Sequence, residues 1–289
     1  MNINPPVLYS RLLLTGAAGN LGCILRPRIK RYCQTLRVSD IVHLDDATTG
    51  EEVMNVALQD AQEVDKLLEG VDGVVHLGGI STDRPFDEIL PANIVGIYNL
   101  YEAARKHGTR RIIFASSNHV TGFYKQSETV TPAMPLRPDS YYGVSKAFGE
   151  NIARLYFDRY GIETVCLRIG SCFPEPKDRR MLYTWLSYDD LERLVVASLS
   201  SPVVNFSVIY GMSDNHVVWW DNDSAKHVGF HPKDTSELFK NEVESRQLSP
   251  PFNLSTLTLQ FVLAGASWRT SSLPCSITLG VSGLFPTHC

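Results

Sequence analysis

Short apolar runs alternate with amphipathic stretches through the first two thirds of this 289-residue sequence, a glycine-spaced turn follows the first run, and two long helical segments close on glycine. Together these observations predict an α/β fold built on a doubly wound parallel sheet. The first run, RLLLTG (residues 11–16), reads as a buried strand ending in a glycine turn, and NLGCILRPRIKRYCQ (20–34) as the helix behind it. LRVSD, GVVHLGG, RIIFASS and ETVCLRIG are further strand-like runs. ILPANIVGIYNLYEAARKHG and SYYGVSKAFGENIARLYFDRYG carry apolar residues at helical spacing. Strands and helices in this alternation require right-handed crossovers, so the sheet is parallel and covered on both faces. Pro27 lies inside the first helix. There it removes a hydrogen bond at a cost of about 3 kcal/mol, and a kink or a late first turn is expected.

The bulk numbers exclude several classes. An apolar content of 44% and a charged content of 20% are ordinary for a soluble globular chain. A net charge of −4 gives no reason to expect a nucleic acid or an anionic membrane as partner. No run approaches the roughly 18 apolar residues of a membrane span. The start of the chain, MNINPPVLYSRLLLTG, has no basic segment leading into an apolar one, so no signal peptide and a cytosolic location are expected. The six cysteines form no CxxC pair and no metal-type spacing, and are expected to be reduced thiols with no metal. Residues 1–245 are expected to form one domain. Residues 246–289 change character: from Gln247 on, Arg269 is the one charged residue, and no periodicity emerges. This tail is expected to lie outside the ancestral domain.

TGAAGNLG sets Gly16, Gly19 and Gly22 three apart, after a strand and at the opening of a helix that begins with Asn20 and Leu21. Glycine permits the tight turn and lets a pyrophosphate approach the backbone, while the helix N-terminus supplies N–H donors and partial positive charge. The spacing is GxxGxxG, not the GxGxxG common in dinucleotide dehydrogenases, yet its place in the chain marks a dinucleotide site of the Rossmann type. The second strand ends on Asp40, whose carboxylate suits ribose hydroxyls and repels a 2′-phosphate, favouring NAD over NADP. Asp45 and Asp46 are rivals for that place.

In DSYYGVSKAFGE, Tyr142 and Lys146 are four apart and share a helix face, whereas Tyr141 is rotated away by about 100° and faces the side of Ser145. A phenol with pKa about 10 is a poor base at neutral pH. An ammonium about 4 Å away at an effective dielectric near 20 is worth about 4 kcal/mol, which would bring the phenol towards a working pKa. FASSNHVTG follows a strand, so Ser116, Ser117, Asn118 and His119 fall at the carboxyl end of the sheet, where such folds bind ligands. From the residues alone His119 reads first as a structural histidine, and Trp219 and Trp220 as packing.

TGxxGxxG, a serine behind the fourth or fifth strand and YxxxK about 25 residues later resemble the short-chain dehydrogenase/reductase superfamily, and PANIVGIYNLYEAA resembles the corresponding helix of its extended, epimerase/dehydratase branch. VHLGGIS, FASSNHVTGFY, YGVSKAFGEN, LRIGSCFPEPKDRRMLYTWLSYDD and WWDN are similar to the uronate dehydrogenase family, from about Leu12 to Glu242. The resemblance implies an NAD-dependent enzyme that oxidises a hexuronate, D-galacturonate or D-glucuronate, at C1. In that reading Tyr142 is the proton acceptor, Lys146 binds the nicotinamide ribose and lowers the tyrosine pKa, and Ser117 assists. Gly16, Gly19, Asn20, Leu21, Gly22, Asp40, Leu58, Leu77, Gly78, Gly79 and Cys172 border the cofactor. Ser81, Ser117, Asn118, His119 and Ser171 contact the sugar, and Arg180 clamps the uronate carboxylate. A guanidinium fork suits that task, and Arg179 is the adjacent rival. The resemblance also implies that residues 171–245 hold a small carboxyl-terminal substrate-binding portion. Where that family closes the third strand with an aspartate near the adenine, VALQD offers Ala57 and Leu58, which predicts weaker cofactor binding. Two other readings stay open: a nucleotide-sugar epimerase or dehydratase, and a non-catalytic NAD-binding sensor. A homo-oligomer is also open.

Overall fold

A computed structural model describes residues 7–246. Its centre is a seven-stranded sheet in the order β3-β2-β1-β4-β5-β6-β9, with every neighbouring pair parallel. The strands are β1 (Tyr9–Thr15), β2 (Cys33–Asp40), β3 (Glu51–Asn55), β4 (Gly73–His76), β5 (Arg111–Ser117), β6 (Glu163–Ile169) and β9 (Phe206–Gly211). A separate pair, β7 (Ser171–Cys172) with β8 (Trp185–Leu186), lies just beyond β6 in the chain. The strand order reverses between β1 and β4, and in such sheets the crevice at that reversal, outside the carboxyl ends of the strands, is where ligands bind. The predicted doubly wound Rossmann sheet is therefore present.

Helices cover both faces. They are α1 (Asn20–Ile29), α2 (Ala61–Leu67), α3 (Phe86–Ile89), α4 (Gly96–His107), α5 (Tyr141–Tyr160), α6 (Met181–Thr184), α7 (Tyr188–Ser200) and α8 (Lys240–Arg246). One apolar core includes Leu12, Leu14, Leu25, Ile29, Val75, Ile113 and Leu167 with Leu191 and Leu194 of α7. A second, containing Leu13, Val74, Ile112 and Cys166 with Ile97, Leu100 and Ala153, lies under α2, α4 and α5. Alternate residues of β1 feed the two cores, as the period of two in a strand demands.

The first helix corrects the expectation for residues 20–34. Its first turn is not late, because the Cys23 amide donates to the Gly19 carbonyl at 2.9 Å. Pro27 is accommodated in the last turn, after which the chain tightens into a 3-10 turn (Lys30–Tyr32) and enters β2 at Cys33. Helix α5 begins where a cap permits: the Ser140 hydroxyl accepts from the Gly143 amide at 3.0 Å. It ends at Gly161, whose φ of +71° suits a residue without a side chain. Between α3 and α4 the chain makes a π turn over Leu90–Val95, a local widening of the helix in which Asn93 is buried. Cys23, Cys33, Cys166 and Cys172 are free thiols. The tail, with Cys275 and Cys289, lies outside the described residues.

Candidate active site

The glycine turn is built by close approach. Gly16 has a φ of +69°, and a Cβ there would stand 2.7 Å from the Gly78 amide nitrogen. A Cβ on Gly22 would overlap the Gly16 carbonyl oxygen. The first turn of α1 thus folds directly onto the end of β1, with its N-terminal amides at the crevice. Opposite it, the Gly78 amide donates to Thr15 Oγ1 at 3.2 Å, and Thr15 Oγ1 lies 2.7 Å from His76 Nδ1. Burial, and secondarily the Lys146 charge, pulls the His76 imidazole down to about 3, so it is neutral and bridges β4 to β1.

Asp40 closes the far wall. Its carboxylate accepts the Ala18 amide at 3.0 Å and the Val42 amide at 3.1 Å, which fixes it at the lip of the crevice. Asp45 and Asp46 are exposed and do not line the cavity. The third strand stops at Asn55, so VALQD lies beyond its end rather than within it. Leu58 lines the cavity and is buried, while Ala57 does not line it.

Tyr142 and Lys146 point inward, at 8% and 6% exposure, whereas Tyr141 is 58% exposed, as the helical spacing predicts. Ser145 is buried too. Its hydroxyl donates to the Tyr142 carbonyl at 2.7 Å and accepts from Asn93 Nδ2 at 2.9 Å. Asn93 in turn brackets Ile80, accepting its amide at 2.7 Å and donating to its carbonyl at 2.9 Å. This clamp holds the Gly79–Ser81 segment against α5. Gly79 has a φ of +121°, and a Cβ there would sit 2.7 Å from Asn93 Oδ1.

The electrostatics correct the simple expectation for the tyrosine. Lys146 Nζ donates to the Ala115 carbonyl at 2.8 Å and lies 5.7 Å from the centre of the Tyr142 ring. Burial pulls the lysine down to about 8. Burial also raises the Tyr142 phenol above its ordinary value of 10.0, against the downward pull of its hydrogen bond with Ser117 and with the Asp139 charge adding to the rise. Desolvation outweighs the Ser117 hydrogen bond, and the phenol stays protonated at neutral pH.

A cavity of about 660 Å³ brings these parts together. It is lined by Gly16, Gly19, Asn20, Leu21, Gly22, Asp40, Leu58, Leu77, Gly78, Gly79, Ser81, Ser117, His119, Tyr142, Lys146 and Cys172, all of them expected at the site from the sequence. Burial pushes the Cys172 thiol up to about 12, so it is a neutral wall residue. His119 does more than pack: its Nδ1 lies 2.9 Å from Asp139 Oδ1, and its ring meets Tyr142 edge-on at 5.6 Å.

Three expected residues do not line the cavity: Asn118, Ser171 and Arg180. Ser171 Oγ is 3.0 Å from Thr184 Oγ1, a contact that holds its hydroxyl within the β7–β8 corner. Arg180 precedes α6 and is half-buried, and its guanidinium has no hydrogen-bond or ion-pair partner among the described residues. Trp219 packs on Trp220 and Tyr183 at 5.2 and 5.6 Å, away from the cavity, as a packing residue should.

Gly16, Gly22 and Gly79 leave a cradle that a Cβ would fill, next to an acidic wall and an amide-rich helix start, and this donor set fits a dinucleotide. The likeness to known proteins agrees with that geometry. The family model described as NAD dependent epimerase/dehydratase family matches residues 12–188. A uronate dehydrogenase of Pseudomonas syringae pv. tomato is 55% identical over 241 residues, covering 83% of this chain and 88% of the relative. The crystal structure of a glucuronic acid dehydrogenase from Chromohalobacter salexigens is 48% identical, with a TM-score of 0.82 over 84% of this chain and 91% of that one. A tyrosine-to-alanine variant of the Agrobacterium tumefaciens uronate dehydrogenase, complexed with NAD, is 49% identical with a TM-score of 0.82 over 84% of this chain and 92% of that one. With a parallel sheet, a glycine cradle and a buried Tyr-Lys pair in one cavity, and identity of this extent along the chain, this protein belongs to the NAD-dependent epimerase/dehydratase family and, within it, to the uronate dehydrogenases.

Proposed function

We propose that this chain oxidises D-galacturonate or D-glucuronate at C1 with NAD, giving an aldarolactone that opens in water to the aldarate. The reading is carried by one juxtaposition: the Ser117–Tyr142–Lys146 group shares a cavity with the glycine cradle, so a bound sugar and a bound dinucleotide meet at the phenol. Gly16, Gly19, Asn20, Leu21 and Gly22 hold the pyrophosphate on the start of α1. Asp40 takes the adenosine ribose, and Leu58, Leu77, Gly78, Gly79 and Cys172 wall the rest of the cofactor.

NAD, when bound, would supply the hydride acceptor and a positive charge to the cavity. Lys146 keeps donors in hand for the nicotinamide ribose after bonding the Ala115 carbonyl. Tyr142 acts as the phenolate, its own proton having gone to solvent under the pull of that positive charge and of the Lys146 ammonium: its oxygen takes the proton of the C1 hydroxyl as the C1 hydrogen leaves with its electron pair for the hydride acceptor, and C1 becomes a carbonyl carbon. Ser117 holds the reacting oxygen beside the phenol. Ser81 and His119, which line the cavity, contact the ring hydroxyls, while Asn118 and Ser171 stand behind that lining; Arg180, outside the lining and without a partner among the described residues, swings in to clamp the carboxylate.

Residues 1–245 act as one NAD-binding domain, with the sugar-contacting elements in 171–245. Among the described residues no helix is long and apolar enough to cross a membrane, and we place the chain in the cytosol. Exposed apolar side chains on neighbouring helices, Tyr98 of α4 and Tyr141 and Val144 of α5, support a homo-oligomer.

The test is the appearance of NADH absorbance with NAD and a panel of hexuronates, neutral sugars and UDP-sugars. Uronate-dependent reduction is expected. Conversion of a UDP-sugar without net NADH would replace this reading with an epimerase, and tight NAD binding with no turnover would replace it with a sensor.

A further inference from the structure

Behind the turn that carries Ser117, Asn118 and His119 lies a chain of buried polar side chains that the reaction does not use. Arg168 of β6 donates through Nε and Nη2 to the two oxygens of Glu150, at 3.0 and 2.9 Å. Glu150 lies one helical turn past Lys146 on α5 and also accepts the Ser116 hydroxyl at 2.6 Å. The remaining arm of Arg168, Nη1, donates to the Tyr210 hydroxyl of β9 at 2.9 Å. Tyr210 Oη and Thr121 Oγ1 are 3.0 Å apart, and Thr121 Oγ1 is 3.2 Å from the Asn118 carbonyl oxygen.

The direction of the chain follows from donor counting. A carbonyl only accepts, so the single proton of Thr121 goes to Asn118. Tyr210 must then donate to Thr121, and its oxygen is left to accept from Arg168. Every proton runs one way, from a guanidinium that cannot lose its charge to the first residue of the 3-10 turn (Asn118–Thr121). Arg168, Glu150, Tyr210 and Thr121 are all more than nine-tenths buried, so water does not substitute for a missing link. The anchoring end is stiff: Asn222 brackets the backbone of Tyr210 with bonds of 2.8 and 2.9 Å.

We infer that Tyr210 is a positioning residue. Its hydroxyl passes the fixed orientation of the Arg168–Glu150 pair through Thr121 to the Asn118 carbonyl, and so sets the pose of the turn that contacts the sugar. The inference rests on the proposed uronate oxidation. It predicts that loss of one buried oxygen, outside the cavity lining, weakens sugar recognition while leaving NAD binding alone.

The experiment compares the full wild-type chain with Tyr210→Phe, Thr121→Val, Thr121→Ser and the Tyr210→Phe/Thr121→Val double variant, reading KM for uronate, kcat, NAD affinity and Tm. Tyr210→Phe and Thr121→Val are each expected to raise KM roughly tenfold, with kcat within about threefold and NAD affinity within about twofold. The double variant should be no worse than either single one, because one chain is already cut. Thr121→Ser keeps the hydroxyl and should restore KM. A lowered Tm with unchanged KM, additive KM effects, or failure of serine to rescue would each overturn the assignment. Absence of uronate oxidation by the wild type would instead overturn the proposed function, so the two failures are distinct.

Discussion

The two halves of the cavity are made differently. The cofactor half is mostly backbone: Gly16, Gly22 and Gly79 let chain approach chain, and Asp40 is pinned by the amides of Ala18 and Val42. The half proposed to take the sugar is mostly side chain, drawn from Ser81, Ser117, His119 and Tyr142, and backed by Asn93, Asp139 and the Arg168 chain. A backbone cradle is a property of one contiguous segment. A side-chain site is assembled from segments far apart in sequence, and its accuracy depends on the groups behind it.

The largest expected effect on binding lies in the cofactor half. Gly22→Ala drives a methyl group into the Gly16 carbonyl and should weaken NAD binding more than about 100-fold, with about 1–3 kcal/mol lost from folding. Titration calorimetry and chemical denaturation measure the two. A comparable effect, seen in pH dependence, belongs to Lys146. Its ammonium is buried and its pKa is about 8, against 10.5 for the ordinary group. Below pH 8 folded and unfolded chains both hold the proton. Between pH 8 and 10.5 only the unfolded chain does, so stability rises with pH, by up to about 3 kcal/mol. Denaturation of wild type and Lys146→Met across that range should show this rise in the wild type and its loss in the variant. A smaller change is expected in the sugar half. Arg180→Ala should raise KM for uronate roughly 30-fold, with kcat nearly unchanged and neutral sugars unaffected. An unchanged KM moves the clamp elsewhere.

How much of this was legible in the sequence follows the same division. The glycine turn, the strand ending on Asp40 and the inward pair Tyr142 and Lys146 were readable because each is local and periodic. The turn at 117–119 was placed by the strand before it. Strand β3 is short and half-buried, and it offers too little apolar pattern to be singled out. The sequence pattern extends the first helix to residue 34 because its polar last turns carry no stop signal, whereas the α-helix stops at Ile29 and the chain continues as a 3-10 turn into β2. The rise of the Tyr142 phenol is not legible in the spacing, which locates an ammonium but does not weigh the burial of both groups. Arg168 and Tyr210 lie on neighbouring strands 42 residues apart. Nothing local announces such a pair; the sheet order brings them together.

In the proposed reaction both halves meet at Tyr142. The direct measurement is single-turnover NADH formation by Tyr142→Phe with saturating uronate, with its NAD affinity determined on the same preparation. Removing the proton acceptor alone should slow the hydride step by about 10³-fold, with NAD affinity within about threefold of wild type. A variant that binds NAD normally and reduces it at close to the wild-type rate would contradict the account.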